Sequence, residues 1–490
     1  MGAGGHSRHT CLASATLTRE TAAAMTASLS TRSLIGLIGA PIAFLAPLLL
    51  DVPGLDEPGE RALAIMLLAV VLWVTEVVPL HATAAVIIIG QITMISDAAL
   101  VDLPADFEPA PFADYYQALA DPVLMLFLGG FFLADGAAKF SLDRALAGTL
   151  LRPFGTRPAG VFLGIMLITA VLSMFMSNTA VAAMMVAIVL AVTADLDATD
   201  PRRIGLALSI PVAANVGGMG TPVGTPPNAI ALSGLLDIGE AITFIGWMIR
   251  VFPFMLLVLA FGWLVITQLY RGNNSPISVA IDTAFDRSGH AKIFYVTFAA
   301  TVLLWLTEPL HGVSSTIIGF VPVVVLLSTG VFTADDLRNV RWNVLWLIAG
   351  GIALGKGVGG TGLDEWLVGL VAWQVLPLVL LLVIMTLVAI SLSSVISNTA
   401  TANLLVPIGL SLATSGAIEA SPVLVGLVIA TACSLAMVLP VSTPPNAIAY
   451  ATGMLPTGKL AVMGLLIGGA GLLVFGLLAP WVWQTLGLVP

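Results

Sequence analysis

From residue 34 onwards the chain is a succession of apolar runs joined by short polar links. Many windows of about 20 residues carry no charge, the length that crosses a bilayer as a helix. The pattern predicts spans at 34–50, 62–80, 82–95 and 122–138, and later at 247–270, 293–310 and 314–331. The strict polar/apolar alternation of a membrane β-barrel is missing. Residues 139–157 differ, with Lys139, Asp143, Arg144, Arg152 and Arg157 set among apolar positions at helical spacing. That spacing predicts an amphipathic helix lying in the membrane interface.

Two kinds of apolar run are interrupted. The stretch 159–193 carries Ser177-Asn178-Thr179 at its middle, and a later run carries Ser397-Asn398-Thr399. Each arm of the first is roughly 25 Å of helix. One long helix, two full spans or a re-entrant hairpin all fit. The hairpin is preferred, because the tip is small and polar but lacks the charge of a solvent-facing loop. The stretch 204–236 is broken by glycines followed by Thr225-Pro226-Pro227-Asn228, and Thr443-Pro444-Pro445-Asn446 breaks a second run.

These landmarks recur in one order. Gly350-Gly351 follows Gly129-Gly130 by 221 residues, Ser397 follows Ser177 by 220, and Thr443 follows Thr225 by 218. Trp305-Leu306-Thr307-Glu308 echoes Trp73-Val74-Thr75-Glu76 at a similar offset. Near-constant offsets indicate internal duplication. With the N-terminus inside, 15 of the 18 Lys and Arg fall on the cytoplasmic side, the exceptions being Arg61, Arg250 and Lys356. The acidic links 51–60 and 97–121 then fall outside, as the positive-inside rule requires. Each repeat has an odd number of crossings, so the two are expected to be inverted, a recurring plan of secondary transporters. The expected fold is an all-α polytopic membrane protein with about 11 transmembrane segments, two re-entrant helical hairpins and two broken helices. The C-terminus is expected outside.

Composition agrees: 58% of residues are hydrophobic and 9% charged, where a soluble chain carries about a quarter. Cys11 and Cys433 do not suggest a disulfide framework. Residues 1–31 lack the apolar core of a signal peptide and read as a disordered cytoplasmic tail, with Met25 a possible alternative start. The histidines His6, His9, His81, His290 and His311 are scattered, with no metal-site spacing. Clusters of acidic, His or Cys residues that would mark a membrane enzyme or a proton antiporter do not occur in the broken runs. Glu76 and Glu308 read as carboxylates near span ends rather than proton carriers. Asp135 and Lys139 read as a helix-face pair or as the start of the interfacial helix.

The interrupted runs suit ion chemistry. Two prolines remove two N–H donors and push on the carbonyls four residues back, Pro222 and Val223 in one copy and Pro440 and Val441 in the other. Freed carbonyls are hard oxygen donors for a small cation. Asn228 and Asn446 are expected to cap the following half-helices, whose starts favour an anion. Ser173 and Ser393 each precede a tip serine by four residues, on one helix face. No Lys or Arg lies near these four segments in the sequence. Co-bound cations are therefore expected to compensate a divalent anion.

At these motifs the chain resembles the divalent anion/sodium symporter family of dicarboxylate, citrate and sulfate carriers, from about residue 34 to the C-terminus. The resemblance implies a homodimer in the plasma (cytoplasmic) membrane, working by an elevator movement, with 159–193 opening inward and about 375–412 opening outward. It implies a first transmembrane helix plus scaffold at 32–157, a transport part at 158–272, a cytoplasmic connection at 273–290, scaffold at 291–371 and a second transport part at 372–490. It implies sodium at Ser173, Ser177, Asn178 and Gly224, and at Ser393, Asn398 and Ser442. Substrate carboxylates would meet Asn178, Thr179, Thr225, Pro226, Asn398, Thr399, Thr443 and Pro444. A C4-dicarboxylate such as succinate is the expected cargo. The rivals are a sodium-independent dicarboxylate exchanger and a sodium-coupled sulfate or citrate carrier. Nucleic acid is not an expected partner.

Overall fold

A computed structural model describes residues 31–272, 275–277, 284–371 and 373–489. The tail expected at 1–31 lies outside the described residues except for Thr31, as do 273–274 and 278–283 of the expected connection. Among the described residues the chain is helical and has no strand. Nine helices among the described residues are long and apolar enough to cross a membrane, and four shorter apolar helices accompany them.

The first half holds α1 (Thr31–Leu49), α2 (Glu57–Thr75), α3 (Leu80–Ile95), α4 (Pro122–Lys139), α5 (Leu142–Leu151), α6 (Pro158–Phe175), α7 (Asn178–Thr193), α8 (Pro201–Gly218) and α9 (Pro226–Asp237). Next come α10 (Phe244–Leu269), α11 (Gly289–Leu306), α12 (Ser315–Ser328), α13 (Trp342–Gly360) and α14 (Leu363–Gly369). The last part holds α15 (Leu378–Val395), α16 (Asn398–Thr414), α17 (Pro422–Cys433), α18 (Pro444–Ala451) and α19 (Thr457–Leu473). The amphipathic pattern at 139–157 forms α5, which buries Leu142, Ala145 and Leu151 and exposes Arg144.

Packing between the halves is reciprocal. α3 lies on α13, and α4 lies on α12. α7 lies on α18, and α9 lies on α16. By motif order α3 matches α12, α4 matches α13, and the interrupted runs match in turn. Where two elements meet across the halves, their counterparts therefore meet as well. Close approach depends on the paired glycines. A Cβ on Gly129 would stand 1.6 Å from the Gly319 carbonyl oxygen, and one on Gly350 would stand 2.6 Å from the Ala84 Cα. Small residues let backbones of membrane helices touch.

Four polar groups find partners the one-dimensional pattern did not indicate. Asp135 and Lys139 do not pair with each other. Lys139 Nζ bonds Asp336 Oδ2 at 2.7 Å, and Arg341 stands 3.9 Å from Asp135. Glu308 is buried and accepts from the Phe244 and Ser315 amides at 2.8 and 3.1 Å, so it ties the starts of α10 and α12. Glu76 is exposed, has a left-handed backbone (φ 48°) and lies 3.4 Å from Arg32.

Candidate functional site

The interruptions fall where small polar residues and prolines stop the helices. α6 ends at Phe175, and only Met176 and Ser177, both extended, precede α7. α15 and α16 repeat this around Ile396 and Ser397, whose hydroxyl caps the Ala400 amide at 3.1 Å. α8 ends at Gly218 and α9 begins at Pro226. Gly224 is required in this turn, because a Cβ there would lie 2.2 Å from the Gly218 carbonyl oxygen.

The paired prolines occupy the first two positions of α9 and α18, where a missing N–H leaves no bond unmade. They start the second half-helix rather than distort the first. Thr225 and Thr443 take the cap positions, not the asparagines. The Thr443 hydroxyl accepts from the Asn446 amide at 3.4 Å. Asn228 and Asn446 are fully buried and have another task. Asn228 Nδ2 donates to the Thr221 carbonyl at 2.7 Å, and Asn446 Nδ2 donates to the Met437 and Leu439 carbonyls at 2.9 Å each. Trp247 Nε1 donates to the Met219 carbonyl at 3.0 Å. A buried helix break frees carbonyls that must find donors. Side chains supply them, and the carbonyls involved lie upstream of those expected from the prolines.

One cavity of about 280 Å³ gathers all four interruptions. Asn178, Thr179, Thr225, Pro226, Asn398, Thr399, Thr443 and Pro444 all line it, as do Ser177, Gly224 and Ser442. Ser173 and Ser393 do not line it but lie buried behind the tips. α7, α9, α16 and α18 each begin at this cavity with their first residue. A helix N-terminus carries roughly half a positive charge, so four of them make the cavity hospitable to an anion.

Behind the tips, oxygens converge. Ser173 Oγ stands 2.5 Å from Asn178 Oδ1 and 2.8 Å from the Ala214 carbonyl. A hydroxyl has one proton for these two acceptors. In the second half, Ser393 Oγ and Asn398 Oδ1 are buried without a hydrogen bond. Ser442 Oγ donates to the Ser394 carbonyl at 3.0 Å. The first cluster, three oxygens sharing one proton, suits a small hard cation, and in the second half the Ser393 and Asn398 oxygens make no hydrogen bond that would compete with one.

Several polar groups at the site escaped sequence reasoning, Asn343 of α13 among them. Asn215 lines the cavity from α8, and its Nδ2 donates to Thr443 Oγ1 at 3.0 Å and to Asn446 Oδ1 at 3.2 Å. An asparagine inside an apolar helix was the available signal, but it has no counterpart in the second half. Arg341 and His81 also line the cavity. The expectation of a site without a basic side chain is therefore corrected. Arg341 lies far from the four segments in the sequence, and the packing of α13 delivers it.

The sodium:sulfate symporter transmembrane region matches residues 31–489. The chain is 32% identical over 472 residues to the sodium-dependent dicarboxylate transporter SdcS of Staphylococcus saprophyticus, covering 88% of each chain. It is 31% identical over 474 residues to the protein of that name from Staphylococcus aureus, covering 89% of this chain and 88% of that one. In fold it is similar to the Alcanivorax borkumensis YdaH transporter, with a TM-score of 0.55 at 15% identity over 87% of this chain and 100% of that one. It is also similar to Neisseria gonorrhoeae MtrF, with a TM-score of 0.51 at 11% identity over 89% and 97% of the two chains. These two likenesses concern the fold alone. With its match spanning nearly all described residues, the chain belongs to the family defined by the sodium:sulfate symporter transmembrane region.

Proposed function

We propose that this protein is a secondary active transporter that imports a divalent anion, a C4-dicarboxylate such as succinate, together with sodium. The observation that carries the reading is the single cavity: it collects all eight residues expected to meet the substrate, and four helix N-termini open onto it. The names of the staphylococcal relatives support both dicarboxylate and sodium.

Sodium would be held by Ser173, Ser177, Asn178 and Gly224 on one side and by Ser393, Asn398 and Ser442 on the other. The proton-poor oxygens behind the first tip and the Ser393 and Asn398 oxygens without hydrogen bonds behind the second fit that role. Bound sodium would bring positive charge next to the substrate carboxylates, and neutral oxygens suffice to hold it. Carboxylates would then accept from the tip amides and hydroxyls and lie against the helix starts.

The transport unit comprises 158–272 and 372–490, and the scaffold comprises 32–157 and 291–371. The two halves are inverted repeats, and the two interrupted runs α6–α7 and α15–α16 are re-entrant hairpins, the first opening inward and the second outward. The reciprocal packing supports this division. The protein works as a homodimer by an elevator movement, with its N-terminus inside and its C-terminus outside. The deciding experiment is uptake of labelled succinate, citrate and sulfate by proteoliposomes, with an inward sodium gradient and with choline in its place. Succinate uptake that needs sodium is expected. Uptake unaffected by choline replacement would overturn the coupling, and uptake of sulfate alone would overturn the cargo.

A further inference from the structure

Arg341 is the one formally charged side chain among the residues lining the cavity. Its position is unusual for a guanidinium. Nε and Nη2 are buried and make no hydrogen bond. The group lies over the Phe131 ring, 4.0 Å from its centroid, and Phe131 also lines the cavity. The nearest carboxylate, Asp135, stands off at 3.9 Å. The side chain is only partly buried, 27% exposed, yet a partly desolvated cation with unmade hydrogen bonds is still costly, and a flat aromatic face holds it without using its donors. The residue is also not inherited from the duplication. Arg341 precedes Gly350 by nine residues, and the matching place before Gly129 holds Ala120, followed by Asp121.

We propose that Arg341 is a substrate-binding residue that receives one carboxylate of the cargo and so selects a dianion over a monoanion. This rests on the dicarboxylate reading above. The other residues expected to meet the substrate are neutral amides, hydroxyls and prolines. They bind oxygen but discriminate weakly between an ionised carboxylate and an ester. Arginine's planar fork matches a carboxylate with two parallel hydrogen bonds. The Phe131 face leaves the donors of that fork unused, and because Nε and Nη2 are enclosed by protein, the fork turns toward the cavity as a carboxylate arrives. The loose Asp135 contact leaves room for exchange of one carboxylate for another.

The test compares wild type, Arg341→Gln, Arg341→Lys and Asp135→Asn in proteoliposomes, using labelled succinate with succinate monomethyl ester as competitor. A charged hydrogen-bonded contact is worth about tenfold or more in affinity. Arg341→Gln is therefore expected to raise KM for succinate at least ~10-fold, with maximal rate kept within about twofold. The preference for the diacid over the ester should fall by a similar factor. Arg341→Lys keeps the charge but not the fork and should lie between, which also serves if the glutamine variant does not fold. Asp135→Asn should leave KM unchanged or lower. An unchanged KM and diacid preference in Arg341→Gln, beside active wild type and an inactive Asn178→Ala control, would overturn the assignment alone. So would an Asp135→Asn variant that reproduces the glutamine phenotype, since Arg341 would then act only through its ion pair. Folded wild type that takes up no dicarboxylate would overturn the functional reading and this assignment with it.

Discussion

The side-chain amide of Asn215 donates to the hydroxyl of Thr443 at 3.0 Å, so the broken helix of one half is bonded to that of the other across 228 residues of chain. Both residues are buried, and both line the cavity. Asn215→Ala would leave the Asn446 side-chain carbonyl without a donor and the Thr443 hydroxyl with only its long bond from the Asn446 backbone amide. Leaving such groups unpaired costs about 1–3 kcal/mol. Uptake should fall about tenfold while the protein remains monodisperse in detergent. An ionised carboxylate in Asn215→Asp loses the donor and adds negative charge beside the proposed anion, so uptake should fall further than in Asn215→Ala.

The tip asparagines should be more severe. Asn178→Ala and Asn398→Ala each remove a side-chain oxygen facing the proposed cation and a donor facing the proposed anion. Each is expected to abolish sodium-dependent uptake without unfolding, measured as uptake beside a thermal melt. Full activity in both would remove the basis for the site.

The glycine contacts make a stability prediction. Gly129→Ala places a methyl against the Gly319 backbone, and Gly350→Ala places one against the Ala84 backbone. Backbone cannot step aside as a flexible side chain can. Overpacking costs typically 1–3 kcal/mol and more against rigid neighbours. Both variants should lower the melting temperature by several degrees or prevent accumulation. Gly360→Ala, at the end of α13 with open space around it, should be well tolerated.

At the start of α8, Arg202 grips Asp200 with contacts of 2.6 and 3.0 Å and holds its carboxyl below the usual carboxylate range. A depressed folded-state pKa contributes stability that is present above the ordinary value of about 4 and is lost as pH falls through the folded value. Asp200→Asn keeps a capping side chain but loses the charge. The variant should melt earlier than wild type at pH 7, and the gap should close as pH falls below about 4.

Much of the site was legible in one dimension because the chain states it twice. Ser177-Asn178-Thr179 and Thr225-Pro226-Pro227-Asn228 each interrupt an apolar run, and each has a second copy at a near-constant offset. Small polar residues within apolar runs are conspicuous, and duplication turns them into a pattern. Asn215 and Arg341 were not legible in that way, because neither is repeated. Arg341 reads as a loop cation, one more for the positive side of the membrane, until α13 packs and turns it over Phe131. The asparagines of the Thr-Pro-Pro-Asn stretches show a different limit. Their residue type favours a cap, but the threonine three residues earlier takes that place, and the amide is drawn to carbonyls the break has freed.

What the sequence by itself determined is where helices must stop: proline, glycine and small polar residues set the ends of α6, α8, α15 and α17 through local backbone chemistry. Only the tertiary structure decided which of those ends share a cavity and which distant side chains face them. That choice depends on how closely helices approach, through contacts such as Gly129 on Gly319 and Gly350 on Ala84. It depends also on which buried polar groups remain to be satisfied once they have. Neither is a property of any local stretch of chain.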